Sequence, residues 1–144
     1  MVKYEDIKLS PTQALNLYVE KYPNTTVKEV ELEAKSKSYV YKVSGYDAEK
    51  EYKIDINPKS GEITKVTEKV SKGLYTYISG EHTDKIQALV DKTLSDVGTD
   101  SELIEYSLEI DDGLLELKVE VRQPNQDDMK FKYNLGTGEL IKSK

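Results

Sequence analysis

A fourteen-residue phrase occurs twice in this chain. Tyr52-Lys-Ile-Asp-Ile-Asn-Pro-Lys-Ser-Gly-Glu-Ile-Thr-Lys65 returns as Met129-Lys-Phe-Lys-Tyr-Asn-Leu-Gly-Thr-Gly-Glu-Leu-Ile-Lys142, displaced by 77 residues without a gap. Shorter echoes precede it. Glu29–Ala34 returns as Glu105–Ile110 and Tyr39–Val43 as Leu115–Val119, both at 76, and Gln13–Leu15 returns as Gln87–Leu89 at 74. Offsets that creep upward along the chain describe two copies of one unit with small loop insertions, and a repeat of this kind fixes architecture before any residue-level reading. The predicted units are residues 1–70 (core 10–70) and 82–144, with 71–81 between them. A unit of that size sits near the lower limit for folding on its own core, so the two are expected to pack against each other.

Within each copy the hydrophobic period changes from helical to alternating. Ser10-Pro11-Thr12-Gln13 has a capping serine, a proline at the first helical position and a glutamine that closes a capping box. Ala14, Leu15, Leu17, Tyr18 and Tyr22 then recur at helical spacing, which predicts a helix from Pro11 to about Tyr22. Strands follow, with inner rows at Val30, Leu32 and Ala34, at Tyr39, Tyr41 and Val43, and at Tyr52, Ile54 and Ile56. Gly45 to Lys50 reads as a polar turn, Pro58–Gly61 as a second turn, and Glu62–Val66 as a short fourth strand. Copy two predicts a helix from Thr83 to Val97 ended by Gly98. Its strand rows are Ile104, Tyr106, Leu108 and Ile110, then Leu115, Leu117, Val119 and Val121, then Met129, Phe131, Tyr133 and Leu135. Asp111-Asp112-Gly113 is a hairpin turn, and Leu140–Ile141 ends the copy. Period-two alternation with one polar row marks an antiparallel sheet covered on one face only.

The polar rows carry Glu29, Glu31, Glu33, Lys42, Lys53 and Asp55 in copy one. In copy two they carry Glu105, Glu109, Glu116, Lys118, Glu120, Arg122, Lys130 and Lys132. Acidic strands beside partly basic ones suit cross-strand ion pairs on a solvated face. The connecting stretch Leu74–Gly80 is too apolar for a disordered tether and is expected to be ordered. Eleven tyrosines against one phenylalanine and no tryptophan make tyrosine the core aromatic, its ring buried and its hydroxyl near water, or else a contact surface.

Composition excludes several classes. A net charge of −6 with lysines interleaved among acids gives no basic footprint for nucleic acid. The absence of cysteine removes disulfides, a thiolate nucleophile and zinc–cysteine sites. No stretch reaches the roughly 18 apolar residues of a membrane span. Met1-Val-Lys-Tyr-Glu-Asp6 lacks the apolar run of a signal peptide, which leaves two readings: a cytoplasmic protein, or one whose leader or anchor precedes this numbering.

The order helix, Tyr22-Pro23, strand, Tyr41-Lys-Val43, then Asp55 through Gly61-Glu62-Ile63 resembles the PepSY domain over roughly residues 10–70. Copy two is more degenerate. It ends its helix in Val97-Gly98, carries Lys132 where Asp55 stands, and keeps Gly138-Glu139-Leu140. The resemblance implies a non-catalytic unit of the kind found in metalloprotease propeptides and bacterial envelope lipoproteins. It also implies an extracellular or envelope location and a role in inhibiting or modulating peptidases.

Candidates for chemistry are few. His82 is the sole histidine and precedes a helix, so a catalytic triad has only this base to draw on. Asp55–Glu62 is a partial calcium loop that has Lys59 at its fifth position, where an oxygen ligand belongs. Asp111-Asp112 and Asp127-Asp128 are short acidic turns, and Gly136-Thr-Gly138 leads into a strand rather than a phosphate-binding helix. With 27 acids, carboxylate pairs of glycosidase type arise from composition alone. The sequence therefore predicts an α+β protein of two tandem repeats, each an N-terminal helix on a three- to four-stranded antiparallel sheet. It assigns no catalytic, cofactor or metal residue. The expected function is binding of a protein partner, a peptidase first, by an open sheet edge. The rivals are a scaffolding module of the envelope and a binder of a small or polymeric ligand between the units. The partner-binding residues and the oligomeric state are unassigned.

Overall fold

The structure, a computed structural model, describes residues 3–35, 38–70, 78–111 and 114–143. A 3-10 turn at Tyr4–Asp6 precedes helix α1 (Pro11–Lys21) and strands β1 (Thr26–Lys35), β2 (Ser38–Tyr46), β3 (Lys50–Ile56) and β4 (Ile63–Val70). The second half has α2 (Gly80–Thr83), α3 (Ile86–Val97), β5 (Glu102–Asp111), β6 (Leu114–Arg122), β7 (Met129–Asn134) and β8 (Leu140–Ser143). Each half thus contributes helix and four antiparallel strands, the α+β class expected. The halves join edge to edge into one eight-stranded sheet of order β4-β3-β2-β1-β5-β6-β7-β8.

The seam is the β1–β5 pair. Glu29 faces Glu109, Val30 faces Leu108, Glu31 faces Ser107, Leu32 faces Tyr106 and Glu33 faces Glu105. At the repeat offset of 76, Ser107 is the counterpart of Glu31 itself, so an approximate two-fold axis passes through this pair. On the helix side the inner rows of both halves merge into one core. Val30, Leu32, Val43, Ile54, Ile56, Leu108 and Leu117 are fully buried there. Each such side chain contributes roughly 1.5–3 kcal/mol by leaving water. Polar contacts cross the seam too. Tyr39 Oη donates to the Leu103 carbonyl (2.6 Å), Tyr106 Oη donates to Tyr41 Oη (3.3 Å), and Thr12 and Thr83 hydroxyls lie 2.8 Å apart. The buried tyrosines are therefore core aromatics whose hydroxyls find partners, as tyrosine's chemistry requires.

The capping box at Ser10 forms as read: Gln13 N–H donates to Ser10 Oγ (3.1 Å) and Ser10 N–H to Gln13 Oε1 (2.7 Å). Five readings need correction. The second helix is broken. α2 is a single turn, and α3 starts at Ile86 rather than Thr83. Its buried positions Ile86, Val90 and Thr93 match Pro11, Leu15 and Tyr18 of α1 at an offset of 75. The Gln-Ala-Leu echo at 74 is thus one residue out of register, a coincidence of composition. Strand β2 continues through Gly45 to Tyr46, and the chain turns at Asp47, whose Oδ1 accepts from the Glu49 and Lys50 amides (2.8 and 2.7 Å). Strand β4 runs on to Val70. Finally, Ile104 leaves the inner row because a bulge lies between Leu103 and Glu105, so Leu103 points inward instead. An equivalent bulge lies between Val27 and Glu29 in the first half. Residues 71–77 of the predicted connector and 112–113 of the predicted hairpin turn lie outside the described residues. From Ile78 the connector is docked: Ile78 is buried and its amide donates to the Val27 carbonyl (2.8 Å).

Candidate functional site

The helices pack on one face of the sheet, so the polar rows of both halves become a single open face eight strands wide. Cross-strand registry arranges it in rungs. The central rung runs Asp55, Lys42, Glu31, Ser107, Lys118, Lys132 from β3 to β7. The rungs on either side set Glu29 against Glu109 and Glu33 against Glu105 across the seam. Lysines answer one carboxylate of each pair. Lys42 Nζ lies 3.4 Å from Glu33 Oε1, and its counterpart Lys118 Nζ lies 2.6 Å from Glu109 Oε1. Lys35 also pairs with Glu33.

The other member of each pair binds its proton more tightly than an ordinary carboxyl. Partial burial, then the charges of Glu31 and Glu109, push the Glu29 carboxyl up to about 7. Partial burial, then Glu31 and Glu33, push Glu105 up to about 7 as well. Glu33 moves the opposite way, held down chiefly by its bond to Lys35. Two carboxyls placed against each other in this way cannot both ionise without cost.

This arrangement makes stability depend on pH with a definite sign. Glu29 and Glu105 bind protons more tightly folded than unfolded, so each opposes folding above about pH 7 and ceases to do so as pH falls toward 4.5. Between those limits unfolding free energy should rise as pH falls, by about 1–2 kcal/mol for both sites together after discounting for solvent screening. Below 4.5 the trend reverses, because Glu33 loses the charge its lysines hold. Urea titrations at pH 5.5 and 8 measure this. The Glu29→Gln/Glu105→Gln chain should show a smaller difference and gain stability at pH 8. Equal stability of the unaltered chain at both pH values would contradict the proton-sharing geometry.

Glu31, Glu33 and Glu105 each bring a carboxylate oxygen within 4.8 Å of the others, an oxygen set of the kind hard cations use. Lys35 and Lys42 already pair with Glu33, and Glu105 is pushed up to about 7, so the cluster presents less than its full negative charge near neutral pH. The paired carboxyls are in hydrogen-bond contact. They lack the roughly 5–9.5 Å gap across which glycosidase pairs grip a sugar linkage.

The remaining sequence candidates serve turns and caps. His82 lies in α2 and its Nδ1 accepts from the Ser79 amide (3.1 Å), closing a capping box. Asn57 Oδ1 accepts from the Lys59 and Ser60 amides (2.9 and 3.2 Å), and Gly61 has a φ of 78°. Asn134 accepts from the Thr137 amide (3.3 Å), and Gly138 has the same φ. The Asn…Gly-Glu phrase is therefore a turn, in which asparagine folds the loop and glycine supplies the left-handed residue. Asp128 pairs with Arg122 (3.3 Å).

Sequence reasoning placed no site at β4, yet this strand has a neighbour on one side only among the described residues. Seven of its eight residues, Thr64 to Val70, are exposed. Val66 and Val70, paired opposite Ile54 and Lys50, continue the helix-side row beyond the reach of α1 and are 44% and 76% exposed. The signal was the length of the alternation after Gly61. The opposite edge, β8, has only four residues. On the helix side, a cavity of about 310 Å³ lies where the halves meet, lined by Tyr4, Leu9, Tyr41, Gln87, Asp91 and Leu94 among others.

Comparison with known proteins bears on this geometry. Residues 8–67 match the PepSY family, described as peptidase propeptide and YPEB domain. No curated protein matches the chain. A crystal structure of a candidate lipoprotein from Clostridium difficile 630 superposes with a TM-score of 0.78 at 19% identity, covering 98% of this chain and 95% of that one. That likeness establishes a shared fold across both halves. No helix among the described residues is long and apolar enough to cross a membrane.

Proposed function

We propose, with residues 8–67 as a PepSY domain, that the protein is a non-catalytic binding module of a bacterial cell envelope that restrains a peptidase. The second half is read as a diverged copy of the same domain. The observation that carries the proposal is the edge of β4, eight residues long, seven of them exposed, and without a strand neighbour on its outer side among the described residues. Peptidases bind substrates as extended segments, and an unpaired strand offers the same backbone donors and acceptors as an extended substrate. A strand held in a rigid sheet resists the bending that cleavage demands, so it occupies a cleft without being cut. Envelope placement is supported by the fold shared with a candidate lipoprotein.

The test is titration of the protein into a thermolysin-class metalloprotease from the same bacterium, following cleavage of a small peptide. Saturable inhibition with the added protein intact is the expected result. No inhibition at tens of micromolar would remove this peptidase class as the target. A second reading, a small envelope ligand held between the halves, draws on the cavity beside Tyr41 and Gln87. It calls for ligand-dependent stabilisation without effect on proteolysis.

A further inference from the structure

The edge that can receive a strand also has a charge pattern that selects one. Alternate residues of β4 point to opposite faces. Lys65, Thr67 and Lys69, opposite Asp55, Lys53 and Glu51, lie on the open-face side, while Val66, Glu68 and Val70 lie on the helix side. Beside the edge, the open face has a shallow trough of about 400 Å³ whose walls include Lys28, Lys42, Lys53, Lys65 and Lys69. Only three carboxyls, Glu29, Glu51 and Asp55, share that trough. Glu51 is buried between two of the lysines, 3.2 Å from Lys28 Nζ and 3.4 Å from Lys69 Nζ, so one negative charge is divided between two positive ones. Glu29 is partly protonated near neutral pH. A chain with net charge −6 thus presents a locally cationic margin along the longer of the two sheet edges among the described residues.

We propose that β4 receives an extended acidic segment of a partner protein as a ninth, antiparallel strand. In that pairing, residues opposite Lys65 and Lys69 are four apart in the incoming segment and acidic. Their neighbours opposite Val66 and Val70 are aliphatic, and the residue opposite Glu68 is basic or polar. Read in its own direction, the segment runs aliphatic, acidic, basic, any, aliphatic, acidic. Like-charge pairs directly opposite each other are unfavourable, and lysine on an edge is a common guard against self-pairing. A second copy paired about Thr67 would set Lys65 of one chain against Lys69 of the other, so the edge disfavours its own kind in that register. The symmetry-related trough beside β8 is also rich in lysine, with Lys118, Lys130, Lys132 and Lys142, but its edge strand is half as long. Recognition therefore falls to β4. This proposal rests on the strand-pairing reading above and adds the chemistry of the strand.

The probe is a fluorescent peptide of sequence Val-Glu-Lys-Thr-Val-Glu with short polar flanks, followed by anisotropy against the full chain. Its charge-reversed partner, Val-Lys-Glu-Thr-Val-Lys, is the comparison. The acidic peptide should bind more tightly, weaken with added salt, and slow hydrogen exchange at β4 amides. Lys65→Glu/Lys69→Glu should weaken it by about tenfold or more, the scale of two exposed ion pairs lost and reversed. Lys130→Glu/Lys142→Glu, equal in charge and placed at the other edge, should not. Both pairs are at exposed positions, and circular dichroism checks that each variant is folded. Absence of binding, equal binding of both peptides, or binding without protection of β4 amides would overturn the proposal. The peptidase titration, run on the same variants, separates the two claims. Inhibition retained by Lys65→Glu/Lys69→Glu, with the peptide unbound, refutes the acidic strand and leaves the peptidase reading intact. Peptide binding without inhibition does the reverse.

Discussion

Gly45→Ala should destabilise the protein by about 3 kcal/mol, the upper range for overpacking a tight core. Gly45 is the penultimate residue of β2 and has a strand neighbour on each side, Val27 of β1 and Tyr52 of β3. From above, α1 lowers the Tyr18 ring onto it. Tyr18 is fully buried, and its hydroxyl accepts from Thr25 Oγ1 (2.9 Å). An added Cβ would stand 2.6 Å from the Thr26 carbonyl oxygen and 2.8 Å from Tyr18 Cζ. The carbonyl belongs to the paired strand and cannot withdraw without breaking the ladder, so rotating the ring alone gives no relief. Gly80→Ala is the control. Its nearest neighbour would be the Thr12 methyl at 3.8 Å, an ordinary contact, and its cost should stay within about 0.5 kcal/mol. Urea unfolding of both variants decides the matter. A Gly45→Ala chain within 1 kcal/mol of the parent would mean that Tyr18 does not seat on the strand as described.

The same contact shows what could be read from residues and what could not. Alternation identified the inner rows, and the repeat identified matching strands, because both depend on side-chain period alone. Gly45 has no side chain, so beside Tyr46 and Asp47 it resembled a turn. Its reason for being glycine lies 27 residues earlier, in Tyr18. At the repeat offsets the second half exchanges the sizes: Val121 stands where Gly45 does and Thr93 where Tyr18 does. Small under large became large under small, a swap of volume that no single position reveals. The bulges at Lys28 and Ile104 were hidden for a related reason, since one extra residue reverses the alternation only locally. The outer rows were read as solvated ion-pair faces; lysine pairs do form at Glu33 and Glu109, but Glu116 is buried and Glu29 and Glu105 face other carboxyls. Their union into one face was not legible, because an edge strand and a seam strand present the same alternating pattern. Whether β1 pairs on one side or two is decided by where the second copy docks.

Residues 1–70 expressed alone are expected to fold only as a dimer. Without the second half, β1 becomes an exposed edge of ten residues, and Leu32, Tyr39 and Tyr41 lose the cover supplied by Tyr106, Leu103 and their neighbours. A 70-residue α+β unit has little stability to set against that exposure. The two-fold relation at the seam supplies the remedy, since β1 of one copy can take the place of β5 for another in the same register. Val30 would then face Leu32, Glu29 would face Glu33, and Glu31 would face its own copy. In the intact chain the axis sets Glu31 against Ser107, which removes one of two opposed carboxylates. The dimer of residues 1–70 restores that collision, so it should weaken as pH rises from 5.5 to 8. Glu31→Ser should tighten it by roughly fivefold at pH 8, the effect of about 1 kcal/mol from one like-charge cross-strand pair. Sedimentation equilibrium at both pH values, with and without the substitution, measures this directly. A folded monomer at every concentration would make the first half an independent domain and the seam a mere contact. A dimer that tightens with Glu31→Ser would instead make Ser107 the residue through which the chain settled a charge conflict that two identical halves must face.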